Sequence, residues 1–134
     1  MKLYILGKIV YKKNNKLILE SQSQGHIIVV PNHSRFQINE QVKIYVYEHE
    51  TEYNETTYGF KDFQERELFM DLVLIGGIQP QFAILILDKG WKYITKFIAQ
   101  QNEQALSKLH FFDKKTARLV CKELANKWVK IINN

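Results

Sequence analysis

A single cysteine, Cys121, in 134 residues leaves no partner for an internal disulfide. Its apolar neighbours on a predicted helix make it a buried structural thiol rather than a nucleophile. No stretch approaches the eighteen apolar residues of a membrane span. The apolar run Leu3 to Leu6, closed by Gly7 and Lys8, is too short for a signal-peptide core, so a soluble, cytoplasmic protein is expected. There is no glycine-rich loop ending in Lys-Ser/Thr to cradle phosphates, which argues against nucleotide hydrolysis by this chain alone. His26, His33, His49 and His110 lack metal-ligand spacing and the lone cysteine completes no zinc site, so neither a metal nor a cofactor is expected. No Pro/Gly-rich linker interrupts the chain.

What is present is a globular balance, 46% hydrophobic and 25% charged residues, enough for one ordinary domain or two very small ones. The net charge of +5 is unevenly spread. Residues 1–66 hold nine Lys/Arg against eight Asp/Glu, and residues 67–134 hold ten against six. Lys108 to Asn134 alone carries seven basic and two acidic residues, either a cationic patch or a solvated helix face.

The first sixty residues read as five strands, at Leu3–Tyr11, Lys16–Glu20, His26–Pro31, Gln41–Glu50 and Thr56–Phe60, separated by NN, SQSQG and PNHS turn clusters. Five strands in so short a span predict a small barrel, OB-like by first choice. Lys43-Ile44-Tyr45-Val46-Tyr47 alternates, with Ile44 and Val46 on the buried face. Helical periodicity begins at Asp62-Phe63-Gln64-Glu65, a capping-box pattern, and places Phe63, Leu68, Phe69, Leu72 and Val73 on a buried stripe. That helix ends at Gly76-Gly77, and Pro80 opens the next, Gln81 to Leu87. Further helices are predicted at Trp91–Gln101, Glu103–Lys108 and Lys114 to about Ile131. The last is capped by Asp113, buries Ala117, Val120, Cys121, Leu124, Trp128 and Ile131, and leaves Lys115, Arg118 and Lys122 outside. The fold class is therefore α+β, a barrel over residues 1–61 and a helical domain over residues 62–134.

Two stretches stand out. Glu48-His49-Glu50-Thr51-Glu52-Tyr53-Asn54-Glu55 packs four carboxylates into eight residues without a basic one, and lacks the glycine-containing pattern of a calcium loop. Leu109-His110-Phe111-Phe112-Asp113 puts two phenylalanines where a turn entering a cationic helix usually has Gly, Asn or Ser.

Tyr58-Gly59-Phe60, Gln64-Glu65-Arg66 and Leu68-Phe69 follow one another in the order and spacing of the RuvA family of bacterial Holliday-junction-binding proteins. Gly25-His26-Ile27-Ile28-Val29-Val30-Pro31 resembles the family's Gly-Tyr-x-Val-x-x-Pro strand. Leu68 to Val73 with Gly77 to Ala83 is similar to its first helix-hairpin-helix, and Leu109 to Leu119, with Lys114-Lys115-Thr116-Ala117, to its second. The resemblance spans nearly the whole chain. It implies an OB-like barrel of five or six strands followed by two degenerate helix-hairpin-helix motifs. It further implies a non-catalytic, cytoplasmic subunit that assembles as a tetramer, or an octamer on DNA, holds a four-way junction open, and serves branch migration with the RuvB motor in recombination, repair and the SOS response.

By the same resemblance, DNA contacts fall at Gly77, Ile78, Gln79, Gln81, Lys114, Lys115, Thr116 and Arg118, and an acidic pin at Glu50, Glu52 and Glu55. Family hairpins read Gly-x-Gly. Here Gly77 keeps the first glycine with Gln79 in the second position, while Phe111 and Asp113 fill both positions of the second hairpin and His110 replaces a proline. Phosphate capture is accordingly expected to rest on Lys114, Lys115 and Arg118, and the two phenylalanines to pack into the helical domain. Family members continue past the point matched by Asn134 into a motor-binding domain, so RuvB recruitment by the usual route is not expected of this chain. Two alternatives stand beside this reading: a RuvA-like structural or interaction module with weakened DNA binding, and an OB-type single-strand binder using Tyr45, Tyr47 and Tyr53.

Overall fold

The computed structural model describes residues 1–134 in two compact units, Met1–Arg66 and Glu67–Asn134. In the first, β1 (Tyr4–Lys13), β2 (Lys16–Ser21), β3 (Gln24–Val29), β4 (Gln41–Glu50) and β5 (Glu55–Phe60) close into a five-stranded barrel of order β1-β2-β3-β5-β4. This is the OB-like arrangement, with β3 and β5 parallel and every other pair antiparallel. Closure depends on β1 serving two partners. Tyr4 to Lys8 pair with β4, and Lys8 to Lys13 pair with β2 across a register shift between Ile9 and Tyr11 that bends the strand. The β2–β3 link places Gln22 and Ser23 at φ 54° and 64°, the doubly left-handed turn whose twist matches an antiparallel hairpin.

Alternation puts Ile5, Ile9, Leu17, Leu19, Ile28, Val30, Ile44 and Val46 inside the barrel with Phe36, and as predicted Ile44 and Val46 are wholly buried while Lys43 is exposed. Strand β3 lies two residues earlier than the pattern suggested. Val30 and Pro31 are buried beyond its end, so hydrophobicity there marks burial without ladder pairing. Gly59 sits against this core, and a Cβ there would collide with the Cγ2 methyls of Ile28 and Ile44. The glycine of Tyr-Gly-Phe is therefore dictated by space.

Helix α1 (Phe63–Leu74) begins at the end of β5. Glu65, wholly buried, accepts from the Lys61 N–H at 3.1 Å and from Arg35 Nη2 at 3.0 Å, while its second oxygen has no partner. Burial raises its pKa above 4.5, opposed by Arg35 and the Lys61 amide. Arg66 Nε donates to the Val46 carbonyl at 2.7 Å. The Gln-Glu-Arg motif thus holds the first turn of the helix to the barrel through two buried side chains of opposite charge. Phe63, predicted to be buried, is 40% exposed and rests edge-on against Tyr45. As the first helical residue it lies beyond the packed stripe of Leu68, Phe69 and Leu72.

The second unit holds the rest of α1 with α2 (Pro80–Leu87), α3 (Trp91–Ala99), α4 (Glu103–Ser107) and α5 (Lys114–Ile132). Ala117, Val120, Cys121, Leu124 and Trp128 face inward as the spacing predicted. Burial pushes the Cys121 thiol above its ordinary pKa of 9.0, which weakens it as a nucleophile. Asp71 is the polar hub. Its carboxylate accepts Trp128 Nε1 at 3.0 Å and Lys127 Nζ at 2.9 Å, and the same ammonium reaches Glu67 at 3.0 Å. No helix is long and apolar enough to cross a membrane.

Candidate nucleic-acid interface

The second unit contains one local structure twice. Between α1 and α2, Gly77 takes φ +69°; before α5, Phe111 takes φ +67°. In each turn the next residue is a buried anchor, Ile78 or Phe112, and the one after it an extended N-cap, Gln79 or Asp113. A helix then starts, at Pro80 or Lys114, and the cap carbonyl accepts from a wholly buried alanine: Ala83 N–H to Gln79 at 3.0 Å, Ala117 N–H to Asp113 at 2.9 Å. The two turns are related by an offset of 34 residues (Gly77 to Phe111), yet over 77–87 and 111–121 they share identity only at Ala83/Ala117 and Leu85/Leu119. Matching backbones on unlike residues mean that position, not side-chain identity, defines the unit.

Both turns open on one groove of about 650 Å³, bordered by Gly77, Gln79 and Phe82 from the first and Phe111, Asp113 and Thr116 from the second. Lys108 and His110 also line it. The two helix N-termini differ chemically. At α5 the Asp113 carboxylate accepts the Thr116 N–H at 2.7 Å, which lowers its pKa below 3.8 and places a built-in anion where the helix dipole attracts one. At α2 Gln79 makes no side-chain cap bond, and its amide oxygen accepts from Gln81 Nε2 at 2.7 Å instead.

Of the predicted contact residues, Gly77, Ile78, Gln79 and Thr116 meet at this groove, Ile78 with its side chain buried as the anchor of the turn. Gln81, Lys114 and Lys115 are exposed on the first turns of α2 and α5, and Arg118 is exposed at the start of the second turn of α5. Arg118 stands 3.7 Å from Glu103 in an ion pair open to solvent, a weak contact that leaves the guanidinium accessible. Lys114 and Lys115 occupy the first two positions of α5, where a cation opposes the helix dipole at a cost of ~0.3–1 kcal/mol. For Lys115, attraction to the Asp113 cap carboxylate offsets part of that cost.

The two phenylalanines divide their roles, which corrects the expectation that both pack inward. Phe112 is 2% exposed, whereas Phe111 is 49% exposed and stacks parallel to Phe82, with ring centroids 4.3 Å apart and an interplanar angle of 6°. At this left-handed turn the two adjacent rings part, Phe112 to the core and Phe111 to the surface. Phe82, Lys108 and His110 were not legible as site residues. The signal available for them was their place beside the two hairpins that the family resemblance aligns.

In the barrel unit the acidic run forms the end of the β4–β5 hairpin. Glu50 pairs with Glu55 across the ladder, and Thr51 N–H donates to the Asn54 carbonyl at 2.7 Å, closing the turn. Glu50, Glu52 and Glu55 are all exposed with Tyr53 among them, a tip with no cation built in.

Residues 1–59 match the family model described as the RuvA N terminal domain. The Holliday junction branch migration complex subunit RuvA of Mycoplasmopsis synoviae (strain 53) is 45% identical over 134 residues, covering all of this chain and 68% of the relative. The subunits of the same name from Mycoplasmopsis agalactiae and Mesomycoplasma hyopneumoniae are each 40% identical, covering 99% and 100% of this chain and 67% and 61% of the relatives. The chain thus spans about two thirds of the length of these relatives. With a closed OB-like barrel, the Gln-Glu-Arg anchor and 45% identity along the whole of this chain, the chain belongs to the RuvA family.

Proposed function

We propose that this chain binds four-way (Holliday) DNA junctions as the non-catalytic subunit of a branch-migration complex. The observation that carries the reading is the pair of equivalent turns opening on one groove, each followed by a helix N-terminus, with two lysines at the start of α5 that act against the helix they begin. In this reading the turns are helix-hairpin-helix motifs that approach phosphates on adjacent duplex backbone. Gly77, Ile78, Gln79 and Gln81 belong to the first, and Lys114, Lys115, Thr116 and Arg118 to the second. Such contacts select the shape of a junction and not its base sequence. The barrel, residues 1–61, builds a homotetramer with the acidic tips Glu50, Glu52 and Glu55 gathered as a pin that repels phosphate, while residues 62–134 hold the DNA. The RuvB motor partnership, with its ATP-driven chemistry, belongs to the assembled complex in the cytoplasm.

A titration of a synthetic four-way junction against plain duplex and single strand, repeated over a salt series, tests the proposal. Preference for the junction with a steep salt dependence is the expected result. No binding at low salt would overturn it, and tight single-strand binding without junction preference would replace it with a stacking role for the exposed aromatic residues of the barrel. The solution mass, measured separately, tests the tetramer.

A further inference from the structure

Phe111 is costly where it stands. A left-handed backbone on a non-glycine residue is unfavourable by ~1–2 kcal/mol, and the equivalent position of the first turn is met by Gly77 at nearly the same φ without that penalty. Core filling does not account for it, because Phe112 already supplies the buried anchor of the turn. The stack on Phe82 secures one face of the ring and leaves about half of the residue in solvent. What remains outward is an apolar ridge between two recesses. On one side lies the groove shared by the two turns; on the other is a smaller recess of about 290 Å³ lined by Leu85, Ile86, Lys89, Leu109 and His110. Lys108 and His110 border the groove, and Lys114 and Lys115 follow in the chain.

Resting on the junction-binding reading, we propose that Phe111, backed by Phe82, is a DNA-contact residue whose ring packs on the deoxyribose wall of a minor groove seated over the two turns. The second turn then grips DNA in a different manner from the first. Its helix N-terminus is already occupied by the Asp113 carboxylate, so it gains little from a phosphate. A sugar edge offers an apolar, uncharged surface that the ring can cover, and the neighbouring lysines reach the flanking phosphates as point charges. Strain in the turn is offset by the aromatic stack in the free protein and by the sugar contact in the complex.

Phe111→Gly tests this cleanly, because it restores the residue best suited to φ +67° while deleting the ring. Phe111→Asn, which also tolerates the left-handed region, guards against a folding defect peculiar to glycine. Junction affinity of both variants is expected to fall by about five- to tenfold, the worth of burying the exposed half of a phenylalanine. The salt slope should be unchanged, because an apolar contact releases no counterions. Unchanged affinity would make the ring a structural plug and overturn the proposal. Higher affinity with a steeper slope would also overturn it, by showing that the ring keeps the backbone from a phosphate. Failure of the wild-type chain to bind the junction would instead overturn the junction-binding reading, and is visible without either variant.

Discussion

Replacing Lys114 and Lys115 together by alanine separates charge from fold, because the two roles predict opposite signs. Both lysines are exposed and stand in the first turn of α5, whose dipole disfavours a cation. Their removal should leave thermal stability unchanged or raise it by a few tenths of a kcal/mol, helped by the helix propensity of alanine. If each lysine neutralises one phosphate, the double variant loses about 1.8 from the slope of log affinity against log salt. Between about 50 and 200 mM salt the wild type should then lose about tenfold more affinity than the variant, so the gap between them is widest at low salt and closes as salt rises. Fluorescence anisotropy with a labelled four-way junction over four salt concentrations measures this, and the loss should be alike for junctions of different base sequence. A parallel pair of salt curves would refute the phosphate contacts, and a drop in melting temperature would show that the lysines serve the fold.

Asp113→Ser keeps a cap acceptor for the Thr116 N–H while removing the charge, so junction affinity and salt slope should both rise; a fall in affinity would assign the carboxylate a positive role in binding. Gly59→Ala forces a methyl against Ile28 and Ile44 and should destabilise the barrel by ~1–3 kcal/mol in urea denaturation, with partial rescue by Ile28→Leu, which removes one of the opposing Cγ2 methyls. Lys127→Met strands the Asp71 carboxylate with Trp128 as its remaining donor among these contacts, and should cost ~1–2 kcal/mol after allowance for the partly exposed lysine, read as a lower melting temperature. Burial raises the Asp71 pKa above 3.8 in the folded chain, against the pull of Lys127 and Trp128. Between 3.8 and that raised value the folded state binds more protons than the unfolded one, so this residue's contribution to stability falls as pH rises through the window. Asp71→Asn should flatten that part of a stability profile, and an unchanged profile would exclude Asp71 as its source.

The sequence by itself determined the elements and the family. Period-two runs that alternate β-branched and polar residues can bury only one face, so Ile44 and Val46 were readable as barrel core beside Lys43 and Tyr45. The three- and four-residue steps of α5 likewise predicted its inward face down to Trp128. Local chemistry also sufficed for Asp113 as a cap, because an N-cap acts within three residues of chain.

Tertiary structure decided what depends on partners distant in sequence. The reason Gly59 is glycine lies in Ile28 and Ile44, and Glu65 is tolerable in the interior because Arg35 arrives from thirty residues away. The resemblance aligned the two turns, but that both share one backbone, with φ near +70° and a buried anchor, was decided by packing that their unlike side chains do not advertise. Whether a phenylalanine at such a turn faces the core or solvent is set by the backbone angle at that residue and by the ring of Phe82 against which it stacks. That long-range contact split Phe111 from Phe112, making one an anchor and leaving the other on the surface where DNA is expected.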